Sequence, residues 1–129
     1  MKGDISAQLP TGTLLFSAYD DAYLKLNEQI HHSGLIIHAN VITAPWSPTC
    51  LSDVRLQDLA PIIASPPEVI LLGTGRMTAF PNHEILDYMA EHHIGFECMD
   101  TRAAARTYNI LVGEGRTVSA AMLLPGAKQ

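Results

Sequence analysis

Two short stretches hold the residues whose types and spacing are most able to do chemistry. Gly73-Thr74-Gly75-Arg76 follows the apolar run Val69-Ile70-Leu71-Leu72, and Asp100-Thr101-Arg102 follows Phe96-Glu97-Cys98-Met99. A glycine-bracketed turn beside a helix start exposes backbone N–H groups, which can hold an anion. The pattern has no third glycine at the dinucleotide spacing and no Gly-Lys-Ser/Thr, so it is neither nucleotide fingerprint. Residues 73–80 also outrun the usual strand-to-helix link of about 2–6 residues. Arg102, Arg106 and Asn109 stand at i, i+4 and i+7, one face of a helix. Like charges one turn apart cost about a few tenths of a kcal/mol, so a carboxylate (Glu114 or Asp100) or a bound anion is expected to offset them. The candidate anion or ligand site is therefore Gly73, Thr74, Gly75, Arg76, Asp100, Arg102 and Arg106. The plainer alternatives are a tight strand exit for the glycines and a solvated, ion-paired face for the arginines.

Other chemistry finds little support. His31, His32 and His38 lie near a turn and His92 and His93 end a helix, without the two-histidine helical spacing of a metal site. No Ser–His–Asp or Cys–His arrangement stands out. Cys50 and Cys98 suit free, buried thiols better than a disulfide, and Cys98 is expected to be inert. No metal, cofactor or catalytic residue is expected.

The elements that must position the candidate residues follow from periodicity. Val69–Leu72, Phe96–Met99 and 117–124 read as strands. A helix opened by Pro81 and Asn82 runs to about His93, with Ile85, Leu86, Met89 and Ala90 as its stripe. A second helix, Thr101–Val112, is capped by Asp100 and buries Ala103, Thr107, Ile110 and Leu111. Upstream, 13–19, 22–27 and 35–43 read as an antiparallel meander. Pro45 and Pro48 mark a loop with Trp46 as a lid over one end of the core. Ser52-Asp53 caps a short helix that Pro61 splits.

A βαβαβ unit makes its strands parallel, and parallel strands are apolar on both faces. The expected fold is α/β (α+β): three layers, β/β/α, with a mostly parallel sheet covered on its far face by the meander and both helices on the other. Leu72 and Ile110 are expected to be fully buried. The Gly73 and Asp100 ends then emerge on one edge, where open α/β sheets place ligands. Residues 1–12 read as a flexible lead-in, 13–125 as a single domain and 126–129 as a tail.

The 129 residues are 47% hydrophobic and carry a net charge of −5. That balance argues against nucleic acid as a partner. No run approaches the ~20 apolar residues of a membrane span, and no signal-peptide core is present, so a cytoplasmic location without membrane insertion is expected. Oligomeric state has no sequence signal.

The second half resembles a known family. Leu71-Leu72-Gly73-Thr74-Gly75, Gly95–Thr101, Arg106–Leu111, Glu114-Gly115-Arg116 and Ala120–Pro125 are similar to the Mth-type domain family. The family includes a mitochondrial protein that helps assemble respiratory complex I and an adipogenesis-associated relative. The resemblance is specific over 67–125 and looser over 13–66. It implies a three-layer β/β/α fold and no established activity, catalytic residue or cofactor. Some members carry Cys where Ala105 stands, so thiol chemistry there is absent. The mitochondrial member does not share the Arg102/Arg106 pair, so an anion site built on it is not common to the family. The expected function is that of a non-catalytic accessory or assembly protein acting through a protein partner. The alternative is a binder or enzyme of a small anionic metabolite at the Gly73–Arg76/Asp100–Arg106 edge.

Overall fold

β-branched and aliphatic runs punctuated by turn residues give five short strands between residues 16 and 43, and these divide between two sheets. A computed structural model describes residues 9–129, so most of the lead-in expected over 1–12 lies outside the described residues. Strands β1 (Phe16–Asp20), β2 (Tyr23–Leu26) and β3 (Gln29–His31) form an antiparallel sheet in that order. The alternation of β2 holds: Leu24 and Leu26 are buried, whereas Tyr23 and Lys25 are half-buried.

The main sheet has the order β5-β4-β8-β6-β7, from β4 (Leu35–His38), β5 (Val41–Thr43), β6 (Val69–Gly73), β7 (Gly95–Met99) and β8 (Val118–Met122). β6 pairs in parallel with β7 and β8, while β4 pairs antiparallel with β8 and β5. The α/β class, the two sheets and the βαβαβ unit are as expected. The share of the meander that covers the main sheet is smaller, because β4 and β5 extend that sheet instead of lying over it. Leu35, Ile36 and Ile37 are all buried, the continuous apolar run of a strand covered on both faces. Gly34 lets the chain run against β8: a Cβ there would lie 2.7 Å from the Met122 carbonyl oxygen.

The helices take opposite faces, which corrects the expectation that they share one. β6 lies between β8 and β7, so the crossover through α2 (His83–Glu91) runs one way and the crossover through α3 (Thr101–Gly113) runs back. Right-handed crossovers in opposite directions place their helices on opposite faces. Ile70 and Leu72 accordingly pack with Ile85 and Met89 of α2 and with Trp46, Leu51, Leu59 and Ile62. Val69 and Leu71 pack with Ala104, Ala105 and Tyr108 of α3 and with Phe16, Leu24 and Leu26 of the small sheet. Three layers result: the small sheet with α3, the main sheet, and α2 with the short helical segments.

Those segments are 3-10 turns at Leu51–Asp53 and Leu56–Leu59, then α1 (Ala60–Ile63), with Pro61 at the expected split. Ser52 and Asp53 lie inside the first turn and do not cap it; Asp58 caps the second by accepting from the Arg55 N–H at 2.8 Å. Trp46 is buried and its Nε1 donates to the Asp58 carbonyl at 3.1 Å.

The face of α3 is also corrected. Thr101, Ala104, Ala105 and Tyr108 are buried, at i, i+3, i+4 and i+7. Ile110 is 60% exposed. It lies nine residues beyond Thr101, and at 3.6 residues per turn it points away from the sheet. No described helix is long and apolar enough to cross a membrane.

Candidate functional site

The end of β6 and the start of α3 meet through short side chains. Gly73 is buried, and a Cβ on it would lie 2.8 Å from both Thr101 Oγ1 and Met122 Sδ. Thr74 N–H donates to the Met99 carbonyl at 2.8 Å, which extends the β6–β7 ladder by one step. Gly75, at φ +96°, donates to Thr101 Oγ1 at 2.9 Å, while its carbonyl accepts from the Thr101 N–H at 3.0 Å. Arg76 N–H donates to the Ala127 carbonyl at 3.0 Å. The three amides that a glycine-rich loop would offer to an anion thus already have acceptors within the chain. The glycine at 75 is required twice over, because a Cβ would lie 2.5 Å from that Ala127 oxygen and the backbone is left-handed.

Asp100 caps α3 as its sequence position suggests, accepting from the Ala103 N–H at 3.0 Å. Its own N–H donates to Thr78 Oγ1 at 3.0 Å. The carboxylate that pairs with Arg102 is neither Asp100 nor Glu114 but Asp21, in the β1–β2 turn. It accepts from Arg102 at 2.7 Å and from Arg76 at 3.1 Å. The two guanidiniums hold its carboxyl below the usual range, Arg102 most strongly, and Asp21 in turn raises the pKa of Arg102. Arg106 Nη1 donates to the Tyr19 hydroxyl at 2.9 Å. Asn109 is bidentate on Phe16, accepting its N–H at 2.9 Å and donating to its carbonyl at 2.8 Å. The Arg102/Arg106/Asn109 stripe therefore faces β1.

The structure brings Gly73, Thr74, Gly75, Arg76, Asp100 and Arg102 together at one edge, with Arg106 a turn further along. A cleft of about 350 Å³ lies beside them, lined by Asp21, Gly126 and Ala127 together with His32 and Trp46. Asp21 has no sequence signal beyond its turn, since its partners are 55 and 81 residues away.

A larger cleft, about 560 Å³, was missed in the sequence; Val118, Pro67, His38 and Tyr108 are among its walls. His38 bridges two hydroxyls there, Nδ1 to Ser119 at 2.7 Å and Nε2 to Ser65 at 3.1 Å. Ser119 is 1% exposed, and no carboxylate is hydrogen-bonded to His38 among the described residues, so the nucleophile–base–acid order of a hydrolase is not formed. Burial pushes the Tyr108 phenol up to about 12. At the rim Arg116 pairs with Glu68 at 3.1 Å and holds its carboxyl down. The only sequence hint was an imidazole closing the run Leu35-Ile36-Ile37. Both cysteines are free, and burial, with a lesser push from Glu97, raises the Cys98 thiol to about 12.

The family model described as protein of unknown function (DUF498/DUF598) matches residues 16–123. An uncharacterized protein of Rhodobacter capsulatus is 32% identical over 119 residues, 90% of each chain. NADH dehydrogenase (ubiquinone) 1 alpha subcomplex assembly factor 3 of Xenopus tropicalis is 27% identical over 118 residues, 82% of this chain and 64% of that protein. The solution structure of a Bordetella pertussis protein described as a Mth938-like domain superposes with a TM-score of 0.76 at 29% identity, covering 94% of this chain and 92% of that one. The Mth-type resemblance is thereby confirmed, and the chain belongs to the DUF498/DUF598 family of proteins of unknown function.

Proposed function

We propose that this protein is a non-catalytic accessory protein of the cytoplasm that acts by binding another protein. The observation that carries this reading is the likeness to an assembly factor across 82% of the chain. This chain spans 64% of that factor's length, so the factor's own role is not transferred, only the kind of action. The internal engagement of the Gly73–Arg76 amides and the pairing of Arg76 and Arg102 with Asp21 support it, because they leave little at that edge for a small anion. The same loop also presents Met77, 63% exposed, and Phe80, 71% exposed. Large exposed apolar side chains mark interaction surfaces when they are grouped. The test is purification of tagged wild type and a Met77→Ser/Phe80→Ser variant from the native cell. Proteins held by the wild type should be lost from the variant at unchanged circular dichroism; equal retention overturns the role of this loop.

A second reading, a small-anion binder at Gly73, Thr74, Gly75, Arg76, Asp100, Arg102 and Arg106, is favoured by one observation, the adjoining 350 Å³ cleft. It requires the anion to displace Asp21 from Arg76 and Arg102. Phosphate and carboxylate titrations followed by backbone amide NMR test it. Shifts at Gly73, Thr74, Gly75 and Arg102 that strengthen in Asp21→Asn support the reading, and their absence at millimolar ligand removes it.

A further inference from the structure

Among the described residues β7 ends the main sheet and pairs only with β6, so one of its edges is free of them. Which peptide groups face outward follows from the ladder. The Met99 carbonyl accepts from the Thr74 N–H, so the peptide groups of Met99 point toward β6. Residues two apart in a strand point the same way, so Glu97 and Gly95 also serve β6 and Phe96 and Cys98 point outward. The next outward N–H, on Asp100, is taken by Thr78 Oγ1. The loop thus seals the upper end of the edge and leaves the Phe96 and Cys98 peptide groups without acceptors or donors among the described residues.

The side chains of this stretch are uneven. Phe96 and Cys98 pack half-buried on the α2 side, and Met99 packs on the α3 side. Glu97, between them, is exposed and makes no ion pair among the described residues. If two copies paired antiparallel through this edge, Phe96 would exchange hydrogen bonds with Cys98 of the other copy. Glu97 would then stand opposite Glu97 at the close, non-hydrogen-bonded position. Like charges directly opposite are destabilising, and inward or edge-placed charges are how natural sheets refuse edge-to-edge association. The same carboxylate favours a strand that brings a cation to that position.

We propose that the free edge of β7 is a docking site for an extended segment of a partner protein, added as a sixth strand with a Lys or Arg facing Glu97, and that Glu97 keeps the edge from pairing with itself. This inference rests on the protein-binding reading above and says which surface and what partner chemistry serve it. Main-chain bonds at Phe96 and Cys98 would supply affinity, and the Glu97 pairing would supply choice of partner. Exposed Met77 and Phe80 sit on the loop whose Thr78 closes the edge, so they extend the surface at its upper end.

The probe is a Glu97→Lys copy of this chain, which offers the same strand with a cation at its centre. By sedimentation velocity, wild type alone and the variant alone should each be monomeric, and their equimolar mixture should shift to twice the monomer mass. The shift should fall at high salt, where an exposed ion pair is screened. Amide hydrogen exchange should slow at Phe96 and Cys98 in the mixture only. Glu91→Lys, the same charge change on α2, should not pair with wild type. Glu97→Gln, which removes the repulsion without adding a cation, should self-associate more than wild type and guards against misfolding of the lysine variant. A monomeric mixture with monomeric Glu97→Gln overturns the proposal, as does pairing by Glu91→Lys without protection at Phe96 and Cys98. So does wild type that already dimerises through β7. A monomeric mixture alongside partner loss in Met77→Ser/Phe80→Ser removes the edge and keeps the protein-binding reading; retained partners remove the loop's role independently.

Discussion

The two ends of the parallel strands are built oppositely. At the carboxyl end β6 and β7 send their chains to opposite faces, the arrangement that opens a ligand crevice in many α/β sheets. Here the crevice is filled: Thr101 bonds Gly75 twice, Ala127 closes over Gly75 and Arg76, and Asp21 ties both arginines. At the amino end the chain leaves a 560 Å³ cleft with His38 suspended between two serines and one ion pair at its rim. A switch in strand order creates the opportunity for a site, and the residues that enter the gap decide whether one exists.

This contrast can be broken or sharpened experimentally. The largest effect should come from the core beneath the filled end. Leu72→Ala should cost about 2–5 kcal/mol, whereas Ile110→Ala should stay within about 0.5 kcal/mol, both read from urea unfolding. Similar losses at the two sites would mean that the α3 face is misplaced. Next, Gly75→Ala should cost about 1–3 kcal/mol, because a side chain at φ +96° meets the Ala127 carbonyl. A neutral result would show that the strap over the loop is loose and the crevice can open. Asp100→Ala should cost about 1 kcal/mol through the lost cap, with the helical amides of Arg102 and Ala103 exchanging faster.

The smallest effect is on pH dependence. Asp21 has a depressed pKa in the folded protein, so its contribution is complete above its ordinary value of 3.8 and is lost as pH falls through the lower, folded one. Wild type should therefore be more stable than Asp21→Asn at neutral pH, with the difference closing below about pH 4. A difference that persists in acid would mean that the turn is held by something other than the two arginines, such as the Gly126 N–H on the Asp21 carbonyl.

Much of the filled end was legible because its signals are local. The apolar run into Gly73, the Asp100 cap and the helical periods between strands each sit within a few residues. What failed was long-range or ambiguous. Leu35–Ile37 could have continued the meander, and only its pairing with β8, Leu35 opposite Met122 and Ile37 opposite Ala120, makes it part of the main sheet. The turn that follows uses Ala39 and Asn40, both at positive φ, a pair far weaker as a sequence signal than Asn-Gly. On α3 the arginine stripe reads as the solvent side, which turns Ile110 inward; the polar atoms that receive the stripe, on Phe16, Tyr19 and Asp21, come from the other end of the chain. The His38 cleft joins residues from five separate segments, and its one local hint is the histidine that ends an apolar run.

The way the small sheet is fastened has a kinetic consequence. Its polar ties to α3 join Phe16 to Asn109 across 93 residues and Asp21 to Arg102 across 81. Closing such loops costs entropy before the contacts form, and chains rich in distant pairings fold slowly. The hairpins are local in themselves, and the β6-α2-β7-α3-β8 unit closes shorter loops than these ties do, so docking of the hairpins onto that unit should be a late, separable step. The β1–β3 amides should accordingly be the first to exchange when the native protein opens partially, well before those of β6 and β8.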